Sequence, residues 1–317
     1  MLDLLKALAD PCRLRLVAVL LRGEFTVQEL TRILAMGQSR ISRHLKILTE
    51  AGVLSVKRQG TWSYYRAGCS SACFTLLRPA LEQGLEDLPE RNQDLAAVAS
   101  VLEMRRRRSQ EFFDQHARQW DDLARTLLQM PDYQERLLAL IPEAQTMVEI
   151  GVGTGGLLPA LAAKAGMVIG VDHSPAMLEE ARRRLAQTGQ RGIELRLGEM
   201  THLPLSDSSV EFAVVNMVLH HAADPAAVLQ EISRVLKPRG GVVIADLARH
   251  EHEWAREQLA DQWLGFEEYE LTEWLVAAGY RNIYCEHVSG ADGQETVLIV
   301  RAIRDQQVDH HKPKRRT

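Results

Sequence analysis

Glu149, Gly151, Gly153, Gly155 and Asp172 have the types and spacing that a nucleoside-binding turn requires. Glycine at every second position lets the backbone bend tightly and approach a ligand with no Cβ in the way. A helix opening behind them, near Gly155, presents unpaired N–H groups to whatever sits on the turn. Asp172 ends the next apolar run, Ile169-Gly170-Val171, about 20 residues past the first glycine, where a carboxylate accepts both hydroxyls of a ribose. Gly151, Gly153 and Gly156 also satisfy the G-x-G-x-x-G spacing of a dinucleotide site, so the turn alone leaves a nicotinamide ligand open. Glu149, an acid two residues before the first glycine, shifts the balance away from it together with three later stretches described below.

A second set of residues carries charge. Residues 37–66 hold Arg40, Arg43, Lys46, Lys57, Arg58 and Arg66 against one acid, Glu50, in a chain whose net charge is −4. So local a surplus suits a polyanion better than a solvated face. Ile41, Leu45 and Leu48 recur at helical spacing and must face a core. The other side of that helix offers Ser39, Ser42, Arg43 and Lys46, with Gln38 and Arg40 at its start, and these side chains can meet phosphates and base edges of double-stranded DNA in the major groove. Lys57 and Arg58 extend the basic surface onto a hairpin.

Local signals define the elements that hold both sets. Leu2 to Leu21 is helical but interrupted at Asp10-Pro11, so it divides into two helices, the second capped by Asp10 with Pro11 at its first position. Thr26-Val27-Gln28-Glu29 is a capping-box pattern heading a third helix, and Gly37 turns the chain into a fourth, Ser39 to Glu50, ended by Gly52. Val53–Arg58 and Trp62–Arg66 alternate as strands around Gln59-Gly60. Residues 90–133 read as charged helix, in which the run Arg105-Arg106-Arg107-Arg108 could touch DNA phosphates but is rather expected to be a solvated face or to meet acids on a neighbouring helix. Further strands are expected at Ile193–Leu197, Phe212–Met217, Ile283–His287 and Thr296–Arg301, with a turn at Leu236-Lys237-Pro238-Arg239-Gly240 leading into a fifth strand that ends at Asp246.

Two resemblances arise from these residues. Residues 1–88, above all Ser39-Arg40-Ile41-Ser42-Arg43-His44-Leu45-Lys46 and Ala51-Gly52-Val53-Leu54, resemble the winged helix of ArsR/SmtB-type repressors. That implies a homodimer paired through Leu2–Ala9 and the helix from Cys73 to Leu88. Residues 147–246, with Gly198-Glu199-Met200, Phe212 to Asn216 and Leu236 to Asp246 in fixed order, resemble class I S-adenosylmethionine (SAM)-dependent methyltransferases. The expected architecture is therefore an α+β winged helix-turn-helix followed by an α/β Rossmann-like domain with a seven-stranded sheet. The expected bounds are 1–88, a helical connector and lid at 89–135, the SAM-binding domain at 136–304 and a basic tail at 305–317. The second resemblance implies that Glu149, Gly151 and Gly153 hold the amino-acid part of the ligand, with Glu149 balancing its ammonium. Asp172 takes the ribose, His173 and Met177 flank the adenine, Glu199 and Met200 reach its edge, and Asn216 lies near the sulfur. Phe113 and Trp120, in a stretch resembling the lid helix of small-molecule methyltransferases, are candidate lid residues.

No apolar run approaches the roughly 20 residues that span a bilayer, and the N-terminus lacks the build of a signal peptide, so a cytoplasmic protein without membrane partner is expected. The four cysteines, Cys12, Cys69, Cys73 and Cys285, suit reduced thiols. Cys69-x3-Cys73 with Cys12 leaves a soft-metal or As(III) site open, and His250-x-His252 lacks a further paired set, so no metal ligand is assigned. His220, His221 and His250 are possible bases. No acceptor signature stands out, and the fused architecture resembles regulators that respond to S-adenosylhomocysteine (SAH). The expected function is a repressor gated by SAH or SAM. The alternatives are an active small-molecule methyltransferase with a regulatory winged helix, and a metal- or arsenic-responsive repressor.

Overall fold

A computed structural model describes residues 1–68, 72–128, 130–290 and 295–305. Cys69 and the tail with His310 and His311 lie outside the described residues. The chain forms two compact units, built in the main from Met1–Arg107 and from Arg108 onward.

In the first unit, α1 (Leu2–Leu8) and α2 (Pro11–Leu20) divide at Asp10, whose carboxylate accepts the Arg13 N–H at 3.0 Å. After β1 (Phe25–Thr26), α3 (Val27–Leu34) starts with the expected capping box: Thr26 Oγ1 accepts the Glu29 N–H, and Glu29 accepts the Thr26 N–H at 2.8 Å. Helix α4 (Gln38–Glu50) begins one residue earlier than its sequence suggests and buries Ile41, Leu45 and Leu48. Strands β2 (Leu54–Gln59) and β3 (Trp62–Ala67) form the antiparallel wing, with β3 pairing β1 on its other side. Helix α5 (Ala72–Gly84) and the short turn Leu85–Asp87 precede α6 (Arg91–His116). Val98 and Val101 on α6 join the core made by α1 to α4. The Arg15 guanidinium forks onto buried Asp94 at 2.8 and 2.6 Å.

The second unit holds α7 (Trp120–Leu127), α8 (Gln134–Ala139), β4 (Ala144–Ile150), α9 (Leu158–Ala162), β5 (Ala165–Asp172), α10 (Pro175–Thr188), β6 (Ile193–Leu197), β7 (Val210–Asn216), α11 (Pro225–Val235), β8 (Leu236–Leu247), α12 (Ala255–Gln258), α13 (Glu268–Ala277), β9 (Tyr280–Ser289) and β10 (Thr296–Arg304). The seven strands form one sheet in the order β6-β5-β4-β7-β8-β10-β9, with β10 antiparallel to both neighbours and the rest parallel. Fully buried Val148, Val214, Val243 and Ile299 show why these strands are continuous apolar runs: helices cover both faces.

Most strand ends shift by one to three residues from expectation, and two differences concern turns. Helix α9 opens at Leu158 rather than near Gly155, because Gly151, Gly153 and Gly155 all adopt positive φ and hold the chain in a non-helical loop through Leu157. The turn expected at Leu236 to Gly240 lies within β8. Leu236 pairs with Val210 and Gly241 with Phe212, so residues 237–240 bulge out of the ladder with β7, Arg239 adopting φ 66°.

Candidate functional site

The ends of β4 and β5 bring the predicted nucleoside residues together. Asp172 Oδ2 accepts the Gly153 N–H at 2.8 Å and Oδ1 accepts the Ser174 N–H at 2.9 Å, so the carboxylate closes the glycine loop onto the neighbouring strand. Lone pairs remain on both oxygens for further donors. A Cβ at Gly151 would lie 2.2 Å from Val218 Cγ2, which makes glycine obligatory there, whereas a Cβ at Gly153 would meet nothing within 4 Å. The Gly153 face is open space of the kind a ligand fills. Glu149 is 3% exposed and its Oε2 has no hydrogen-bond partner. Burial, helped by the charge of Asp172, pushes its pKa up to about 8. Burial also raises Asp172, against the opposing pull of His173 and the backbone N–H donors. Two buried acids, one unpartnered, beside an open glycine loop fit a ligand that brings an ammonium and a diol.

The other predicted contacts are less uniform. His173 lies 3.6 Å from Asp172 Oδ1 through Nδ1. Met177 is buried against Phe113 and Ala117, while Glu199 and Met200 sit half-buried in the turn after β6, where Glu199 bridges His202. Asn216 Oδ1 accepts the Tyr133 hydroxyl at 3.1 Å, and burial pushes that phenol up to about 12. The lid candidates meet one another, Phe113 and Trp120 packing edge to face at 5.0 Å, and both reach His221.

Asp121, Asp114, Gln110 and Asp261 at this site carry no signal in the sequence, unlike the histidines that follow β7. Asp121 on α7 accepts the Thr154 hydroxyl at 2.7 Å and pairs with Arg184, which ties α7 to the glycine loop. On α6, Asp114 accepts the Ser174 hydroxyl at 2.5 Å and Gln110 donates to the His173 carbonyl at 3.0 Å. Beyond β7, His220 donates or accepts at Asp246 across 2.7 Å, and Asp261 lies 3.7 Å from His220 and 3.6 Å from His221, all four residues being buried. Burial disfavours charge on His220, yet Asp246 and Asp261 outweigh it and lift the imidazole to about 9. Burial drives His221 well below its usual value, so it is neutral at pH 7. His250 donates its backbone N–H to Leu264.

On the first unit Gln38, Ser39, Arg40, Ser42, Arg43 and Lys46 are exposed on one side of α4, Arg58 is exposed on the wing and Lys57 is half-buried. Arg66, counted with the basic surplus, is instead turned inward: it pairs with Glu24 at 3.7 Å and donates to Ser55 at 3.1 Å. The arginine run is also spent within the protein. Arg105 forks onto Glu29, Arg106 and Arg107 pair with Glu103, and Arg108 reaches the Arg256 carbonyl. Cys12 and Cys73 belong to the described residues, and Cys12 Sγ lies 2.8 Å from Arg40 Nη2. Among the described residues no helix is long and apolar enough to cross a membrane.

Comparison with known proteins agrees with this division. Residues 10–56 match the family described as bacterial regulatory protein, arsR family, and residues 148–244 match the family described as methyltransferase domain. An arsenic resistance transcriptional regulator of Pseudomonas putida is 50% identical over 62 residues, 19% of this chain and 48% of that protein. An arsenite methyltransferase of Halobacterium salinarum is 34% identical over 117 residues, 36% of this chain and 30% of that protein. The chain thus spans half or less of the length of the curated relatives it matches. A chain from the complex between the Haloferax volcanii Trm112 methyltransferase activator and its methyltransferase partner superposes with a TM-score of 0.51 and 25% identity, over 61% of this chain and 97% of that one. The chain therefore carries an arsR-type helix-turn-helix segment followed by a class I methyltransferase fold.

Proposed function

We propose that the chain is a homodimeric transcriptional repressor in which SAH or SAM, bound on the glycine loop, sets the affinity of the winged helix for its operator. The observation that carries the DNA half is the exposed stripe Ser39, Arg40, Ser42, Arg43 and Lys46 opposite a fully buried apolar seam. Phosphate contacts from Arg40, Lys46 and Arg58 would position α4, and Arg43 with the serines would read bases, whereas the Lys57 ammonium is enclosed. Leu2 and Leu5 on α1 and Leu76 on α5 are exposed apolar side chains, as a symmetric dimer interface requires.

The ligand half rests on the unpartnered Glu149 carboxylate beside the open Gly153 face. Glu149 would take the ammonium, Asp172 the ribose hydroxyls, His173 and Met177 the adenine faces, Glu199 and Met200 its edge, and Asn216 the region of the sulfur. A bound nucleoside shifts DNA affinity only through different affinities for the two DNA-binding states, typically about 1–3 kcal/mol of coupling. Helix α6 is the covalent route between the units.

An active methyltransferase is the second reading. It is favoured by neutral His221, which faces Phe113 and Trp120 and is fit to accept a proton from a small acceptor. Fluorescence anisotropy of a labelled fragment from the protein's own upstream region, titrated alone, with SAM and with SAH, separates the two. A shift in DNA affinity with either ligand establishes gating. Tight DNA binding indifferent to both removes it and directs attention to methyl acceptors.

A further inference from the structure

We infer that His220, His221 and Asp261 form a site for one divalent transition metal of the zinc class, beside the nucleoside pocket and independent of it. His220 Nε2 and His221 Nδ1 lie 3.7 and 3.6 Å from the same oxygen, Asp261 Oδ1, and the three donor atoms fall within 4.8 Å of one another. Ligands at about 2.0–2.1 Å from a tetrahedral ion stand roughly 3.4 Å apart, so the set is already close to coordination geometry. All three residues are 5% exposed or less.

What points to a ligand is the state of Asp261. Both of its oxygens are buried without a hydrogen-bond partner, a costly arrangement for a carboxylate. His220 and, less strongly, Arg256 offset part of the charge, while burial and Asp246 work against it. A dication held by Asp261 and two imidazoles removes that cost.

The surroundings have the build of a metal centre. The other ring nitrogen of His220, Nδ1, faces Asp246 Oδ1 at 2.7 Å, and Asp246 is itself fixed by the Leu219 and Leu247 N–H groups at 2.8 Å each. A carboxylate behind a histidine in this way selects the tautomer that leaves Nε2 free for an ion. Phe113 packs edge to face on His221 at 4.8 Å and keeps that flank apolar. The Gln262 and Trp263 N–H groups donate to the His220 carbonyl at 3.1 and 3.0 Å, so backbone bonds already hold Asp261 against the end of β7. Three protein ligands leave a fourth position for water or a bound group.

The test is a titration of the chelator-stripped, full-length protein with Co(II) alone, read by visible absorption, and with Zn(II) by equilibrium dialysis and elemental analysis. The expected result is one equivalent per chain with the intense d–d bands of a four-coordinate ion. Asp261→Asn and His221→Gln should each weaken binding at least a hundredfold, and Asp246→Asn, one shell out, about tenfold. Cys12→Ser and a chain with His310 and His311 both changed to Ala should titrate like the parent. Near-ultraviolet dichroism confirms folding, and if one ligand variant does not fold the other carries the test. No band and no retained metal in the parent protein overturns the site. Undiminished binding in a folded Asp261→Asn or His221→Gln variant overturns it equally, because the ion then sits elsewhere.

Discussion

Glu149 offers a prediction whose size follows from its surroundings. Its ordinary pKa of 4.5 is raised to about 8 in the unliganded protein, first by burial and then by Asp172. An ammonium placed against Oε2 reverses that balance and stabilises the carboxylate, so nucleoside binding at pH 7 must expel the proton of Glu149. Affinity for SAH should then rise with pH, by nearly tenfold per unit well below 8 and by about twenty-five-fold in all between pH 6.5 and 8.5, before levelling off. Stability runs the opposite way. A carboxylate raised on folding contributes stability that is complete below 4.5 and is lost as pH rises toward 8, so the unliganded unit weakens over the window in which binding strengthens. Isothermal titration calorimetry with SAH, in buffers of different ionisation enthalpy at pH 7, counts the released proton directly. Glu149→Gln should release none and should flatten the pH profile. A parent protein that binds SAH without proton release, with equal affinity at pH 6.5 and 8.5, would refute the placement of the ammonium at Glu149.

Three other substitutions probe separate parts of the molecule. Asp172→Asn keeps the shape but exchanges one charged acceptor for an amide, and should weaken SAH binding about 10- to 150-fold, from about 1.5–3 kcal/mol for a hydrogen bond to a charged group; operator binding of the unliganded variant should not change in anisotropy. Arg43→Ala should weaken operator binding about tenfold and reduce the slope of log K against log salt by about one per protomer, with SAH affinity unaltered; an unchanged DNA affinity removes α4 from the interface. Asp94→Ala strands the Arg15 guanidinium, whose side chain is 14% exposed, and should cost about 3 kcal/mol in urea unfolding of the first unit. A loss below about 0.5 kcal/mol would show that water replaces the pair.

What could be read in advance was local. The Thr26–Glu29 capping box, the Asp10-Pro11 break and the apolar seam of α4 lie within a few residues of one another, so their chemistry is written contiguously. The glycine loop and Asp172 were legible for a related reason: the parallel pairing of β4 with β5 joins positions about 20 residues apart at a spacing common to many sequences. The extent of the loop was not, since the positive φ of Gly155 delays α9 by three residues. Asp246 and Asp261 could not be placed, because only the pairing of β7 with β8 and the backbone bonds from Gln262 and Trp263 bring them to His220. Arg66 misled because net charge does not tell which guanidinium an internal acid such as Glu24 has claimed.

Glu29 joins two helices. Its carboxylate closes the cap of α3 through the Thr26 N–H and hydroxyl, and the same two oxygens receive the Arg105 fork at 2.9 and 2.8 Å, while the guanidinium lies over the Phe25 ring. A single acid is thus the clasp between the first helix of the helix-turn-helix and the long helix α6. Hydrogen bonds of this length tolerate displacements of only a few tenths of an ångström. Rotation or sliding of α6 at residue 105 therefore has two outlets: it carries the start of α3 along, or it opens the clasp and leaves the cap to hold alone. Either way a small motion along a helix becomes a discrete event at the head of the helix-turn-helix.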